Sequence, residues 1–123
     1  MAIIHVPVGP PYGTISVNTQ TVYAVVADPA SPKNASDLLI DSAGARSIKA
    51  LLEVGAVGAM LDREFASFVM AAVSESTCFV NRTAWVSITP HPQVKNVVQI
   101  NFANHYVPVR GSIDEVRAKL QGP

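Results

Sequence analysis

Charge is scarce in this chain. Only 15% of its 123 residues are Asp, Glu, Lys or Arg, nine acidic against nine basic, and the formal net charge is zero. Folded proteins usually carry about a quarter charged residues. A balanced chain has no global field to draw it to nucleic acid or an anionic membrane, so any polyanion contact must be local. Cysteine is scarcer still. Cys78 stands alone, which excludes an internal disulfide and a cysteine metal cluster and fits a reducing compartment. Long apolar runs are missing too. The richest region, 50–73, is broken by Glu53, Gly55, Gly58, Asp62, Arg63 and Glu64, so no membrane span is expected. The N-terminus MAIIHVPVGPPYG has no basic region followed by a long apolar core and does not read as a signal peptide. The expected setting is the cytoplasm, and the glycosylation-like triplets at Asn34 and Asn81 are read as chance matches.

Catalytic signatures are equally sparse. No strand is followed by a Gly-x-Gly-x-x-Gly or Walker pattern, and Gly9-Pro-Pro-Tyr-Gly13 reads as a turn. His5, His91 and His105 are scattered without an acidic partner at short spacing, which speaks for surface histidines rather than metal ligands. Cys78, beside Phe79 at a strand start, reads as a small buried hydrophobe rather than a nucleophile. Asp62-Arg63-Glu64 reads as a solvated helix patch. A non-enzymatic protein without metal or cofactor is expected.

What the chain does contain is apolar surface, 49% of its residues. A small monomer hides that much with difficulty, and a homodimer or larger oligomer is the natural outlet. The chain also contains an echo of itself. VNTQTVYAVVADP begins at Val17 and VNRTAWVSITPHP at Val80, and Lys-Asn follows each, at 33–34 and 95–96. Strand-like runs come next, DLLID and VVQINF, then turn residues, Ser42-Ala43-Gly44 and Asn104-His105. This suggests one domain, 1–123, holding a pseudo-repeat of about 14–75 and 77–121.

In the second unit, alternation predicts strands at 79–89, 97–103 and 106–111, and Ser112-Ile-Asp-Glu115 predicts a capped helix with Ile113, Val116 and Leu120 inward. In the first unit, strands are expected at 3–8 and 14–18 and a helix at about 56–74, apolar nearly all round. The expected fold class is α+β, two similar antiparallel-sheet-plus-helix units in one compact domain.

Period-two counting puts Asn81, Thr83, Trp85, Ser87 and Thr89 on one face of the first of these C-terminal strands. Val97, Gln99, Asn101 and Ala103 join them from the second strand, and Tyr106, Pro108 and Arg110 from the third. This face has aromatic rings, amides and hydroxyls but no acid. Rings on such faces stack on unpaired bases, each worth roughly 1–3 kcal/mol, and need no net positive charge to do so. The simpler alternative is that Trp85 packs against a helix or a partner subunit. In the first unit Thr19, Thr21 and Tyr23 repeat the pattern, while Asp37 and Asp41 oppose phosphate and Arg46 and Lys49 offset them.

Read this way, the architecture resembles the tandem sheet-then-helix units of the PUR-repeat and Whirly proteins, and small bacteriophage proteins that bind single-stranded DNA and assist transcription. No sequence signature of either family is present. The resemblance implies an oligomeric single-stranded-DNA-binding protein assisting phage or bacterial transcription or replication, with an RNA polymerase or replication protein as a further partner. Trp85, Tyr106 and Tyr23 would stack on bases. Arg110, Lys95, Arg82, Arg46, Lys49 and Lys33 would meet phosphates, and Gln99 and Asn101 would hydrogen-bond backbone or base edges. The alternative from another class is a structural or adaptor protein whose apolar helix and sheet face make protein contacts.

Overall fold

The computed structural model describes residues 3–40, 47–71 and 76–122. The first two strands, β1 (Ile3–Gly9) and β2 (Gly13–Asn18), form a hairpin. Gly9 and Gly13, at φ +79° and +74°, supply the left-handed backbone that closes it. A five-stranded antiparallel sheet follows, built from β3 (Val22–Ala27), β4 (Ser36–Ile40), β5 (Ser47–Ala50), β6 (Phe65–Val69) and β7 (Thr77–Asn81). Its spatial order is β5-β4-β3-β7-β6. The remaining strands, β8 (Ser87–Pro90), β9 (Val97–Asn101) and β10 (Tyr106–Arg110), make a three-stranded sheet in the order β10-β9-β8. The short helix α1 (Val54–Gly58) precedes β6, and α2 (Ile113–Gln121) ends the described chain.

The central sheet is covered on both faces, which is why all six residues of β3 are buried. One core cluster joins Val26, Phe68, Cys78 and Val80 to Val98, Ile100, Val107, Val109, Val116 and Leu120 of the smaller sheet and α2. The other joins Val22, Val25 and Leu38 to Ile4, Val6 and Val17 of the hairpin and Val54 and Val57 of α1. A register shift between Val22 and Ala24 turns Tyr23 into the first cluster, next to Ala24. Burial pushes the Cys78 thiol up to about 12, so it stays protonated at neutral pH and packs as a small hydrophobe.

The expected α+β class is overturned: the fold is mostly β, with α2 its one helix longer than five residues among those described. Residues 65–69 of the expected long helix are a strand, and α1 covers only 54–58. The all-round apolar character of that region arises because Phe65, Ala66 and Phe68 are buried from a sheet position, not because a helix is sandwiched. Asp62 Oδ1 accepts from the Glu64 N–H at 3.0 Å, a side-chain turn that competes with helix continuation. Residues 72–74 of that expected helix, the Ser42-Ala43-Gly44 turn, Asp41 and Arg46 lie outside the described residues.

The expected strand 79–89 is two strands in different sheets, β7 and β8, separated by a turn. Asn81 starts that turn, 1% exposed; its Nδ2 donates to the Val22 carbonyl at 3.0 Å. Its Oδ1 accepts from the Thr83 N–H at 3.0 Å and the Thr83 hydroxyl at 2.8 Å. The last helix matches its sequence signal: the Ser112 hydroxyl accepts from the Glu115 N–H at 3.2 Å, and the Glu115 carboxylate accepts from the Ser112 N–H at 3.1 Å. The bond from the Ser112 N–H above all, with the Ser112 hydroxyl beside it, holds the Glu115 carboxyl below its ordinary value.

Candidate nucleic-acid interface

The small sheet sets out its outer face in cross-strand rows. Asn101 stands opposite both Ser87 and Tyr106, and Gln99 opposite both Thr89 and Pro108. Arg110 pairs with Val97. The alternate residues Val98, Ile100, Val107 and Val109 are buried in the core behind, with Ile88 packed partly against it, as a period of two requires, but Val97, expected on the outer face, is 3% exposed. Within the face, Asn101 Nδ2 donates to the hydroxyls of Ser87 and Thr89, both at 3.2 Å. Tyr106 is 61% exposed. No residue of β8, β9 or β10 is acidic.

At the Arg110 end of the face the chain leaves β8 through the loop 91–96. The His91 ring fixes this loop: its Nδ1 accepts from the backbone N–H of both Gln93 and Val94 at 3.1 Å. A hollow of about 180 Å³ lies between the loop and the sheet, lined by Ala71, His91, Val94, Val97, Pro108 and Arg110. It adjoins a larger depression of about 530 Å³ that shares His91, Val94 and Val97 and also touches Lys95, Asn96 and Ser112. A third hollow, about 170 Å³, continues past Arg110 to Glu115 and Lys119.

The residues singled out from sequence are dispersed. Tyr106, Arg110, Gln99 and Asn101 come together on the outer face, and Lys95 is exposed on the adjoining loop. Trp85 lies in the turn before β8, partly buried against the core cluster. Tyr23 is 7% exposed and stacks on Phe102, with ring centroids 5.1 Å apart, while His105 meets its edge. Arg82 turns its guanidinium to backbone, donating to the Lys119 carbonyl at 2.9 Å and to the Arg63 carbonyl. A cation there suits the last turn of α2. Lys49, on β5, pairs with Asp28 at 2.9 Å. Lys33 is exposed on the loop between β3 and β4.

The expectation of a stray surface histidine is corrected at His91, whose ring holds the loop. The signal for its role was local: an acceptor ring followed by Pro92, two residues before free N–H donors, is the arrangement by which Asx residues hold turns. Among the described residues no group of three or more His, Cys, Asp or Glu converges to hold a metal. Among the same residues no helix is long and apolar enough to cross a membrane.

No protein-family model matches the sequence, and no curated protein matches it. A solved structure does match, with a TM-score of 0.62 at 16% identity, covering 100% of this chain and 99% of the other. It is a LytTr DNA-binding domain from Bacillus cereus, whose parent protein is described as a methyl-accepting/DNA response regulator. The fold of this chain is therefore similar to a LytTr domain rather than to the PUR-repeat or Whirly architecture expected from its sequence.

Proposed function

We propose that this chain is a non-enzymatic DNA-binding protein, that its contact surface is the outer face of β8, β9 and β10 with the loop 91–96, and that it takes DNA in single-stranded form to assist transcription or replication. The observation that carries the reading is the acid-free face on which Tyr106, Asn101, Gln99 and Arg110 stand in register. Its likeness in fold to a DNA-binding domain supports the general class of partner. The single-stranded form rests on Tyr106: an exposed ring on a polar sheet stacks on a base only where the base is unpaired.

The test is a fluorescence-anisotropy titration of labelled single-stranded and duplex oligonucleotides at low and moderate salt. Saturable binding that prefers single strands and weakens with salt is expected. Equal affinity for duplex would leave DNA binding and remove the single-stranded claim; no binding to either at low salt would sink the reading.

Protein contact remains a second reading because of the hairpin tip. Tyr12 is 77% and Leu51 50% exposed, and the Leu51 N–H donates to the Pro7 carbonyl at 2.7 Å, which brings both near one edge. Tyr12→Ser should disturb such a contact and leave oligonucleotide affinity unchanged.

A further inference from the structure

Four side chains hold turns in this fold by one device: the Asn18, Asp28, Asp62 and Asn81 side-chain oxygens each accept the backbone N–H two residues on, all at 3.0 Å. His91 does the same with a ring nitrogen, its Nδ1 accepting from Gln93 and Val94 at 3.1 Å. The ends of its loop are tied by backbone. The His91 N–H donates to the Val97 carbonyl at 2.9 Å, and the Gly111 N–H to the Asn96 carbonyl at 2.8 Å. Between those ties Pro92 has no N–H to offer, and the ring carries the loop. An amide oxygen accepts at every pH, and a carboxylate does so well into acid. An imidazole ordinarily changes charge between about pH 5 and 8, and once protonated both its nitrogens donate and neither accepts. A protonated His91 would point an N–H at two other N–H groups.

We infer that His91 is a proton switch: its protonation releases the loop 91–96 and adds a cation to the proposed DNA surface, so that the surface binds a nucleic-acid strand more tightly as pH falls. The charged groups around the ring act in the same direction. Lys95, on the same loop, and Arg110, on β10, line the hollows that His91 lines, and among the described residues no carboxylate lines either one. The imidazolium is one more positive charge where no acid answers it, and release of the loop leaves it to meet a phosphate. The tightening rests on the DNA-binding reading above; the release of the loop does not.

The experiment follows the Gln93 and Val94 amides and the His91 ring by heteronuclear NMR from about pH 8 down to about pH 5. Both amide signals are expected to move in one step with the ring and to lose protection from hydrogen exchange. Affinity for a labelled oligothymidine strand should rise about threefold across that step, as one exposed charge pair gives. The slope of log affinity against log salt should steepen by about 0.7, the share of one further phosphate contact. His91→Asn sets an Oδ1 acceptor where Nδ1 stood and takes up no proton, so it should hold the loop throughout and show neither step. Amides of the unaltered protein that do not move with the ring would overturn the switch, and so would an amide step that survives in His91→Asn. An amide step with no gain in affinity would overturn the tightening and leave DNA binding standing. No binding to the strand at any pH would remove the DNA-binding reading and the tightening with it.

Discussion

Tyr106 and Trp85 have opposite surroundings, and substituting each should separate binding from stability. Tyr106 stands out of the face at 61% exposure. Tyr106→Ala should leave the melting temperature nearly unchanged and weaken single-strand affinity by about 1–3 kcal/mol, read by anisotropy. Trp85 packs against the core, and Trp85→Ala should cost about 2–4 kcal/mol in chemical denaturation, somewhat less than a fully buried ring. A second residue-scale expectation concerns acid. The Lys49 hydrogen bond holds the Asp28 carboxyl below its ordinary value, and Asp28 in turn raises Lys49. The stability Asp28 contributes is present above its unfolded value and is lost as pH falls through its folded one. That of Lys49 is present below its unfolded value and lost as pH rises through its folded one. Asp37, raised by burial, runs the other way from Asp28 and partly offsets it. Melting temperature should therefore drop below about pH 4, and Lys49→Met should flatten that drop. An unchanged acid limb in the variant would count against the pair.

At the scale of elements, α1 shows how closely the central sheet is packed. A Cβ on Gly58 would lie 2.2 Å from the Phe79 ring, so Gly58→Ala should destabilise by about 1–3 kcal/mol despite alanine's better helix propensity. A stabilised variant would mean the ring moves aside freely. The same region marks where sequence reading ended. The C-terminal strands and α2 were legible because Val98, Ile100, Val107 and Val109 alternate cleanly and Ser112 and Glu115 form a cap. Residues 65–69 were not, because the strand's buried-exposed alternation is masked in the sequence: Val69 is apolar yet 45% exposed, which leaves Ser67 as the one polar signal among apolar residues. Trp85 was placed on the face by counting twos across Arg82–Val86, and the count fails because Asn81 folds the chain into a turn there. Four members of the candidate site lie on regular strands and could be counted. His91 acts through a loop conformation that no periodicity reports.

For the molecule as a whole, much of the apolar content is buried in two clusters, while Ile3, Tyr12, Leu51 and Val86 stay at least half exposed. The accessible surface is 6727 Å² at 13.0 kDa, near the about 6,300 Å² expected of a monomer of that mass. Both core clusters draw on β3, so they should melt together. Leu38→Ala, in the cluster away from Trp85, should cost about 2–5 kcal/mol and lower the transitions seen by Trp85 emission and by far-UV circular dichroism equally. Separate transitions would show that the two halves unfold independently.

The junction of β6 with β10 bears on solubility. Met70 bridges Val109, and the Ala71 N–H donates to the Pro108 carbonyl at 3.0 Å, so the border strands of the two larger sheets occupy each other's open sides. The exposed border of the small sheet, β8, ends in Pro90, which has no N–H to offer a neighbouring chain. With zero net charge, mutual repulsion does little to keep copies apart. Resistance to strand-by-strand aggregation is carried instead by geometry at these borders.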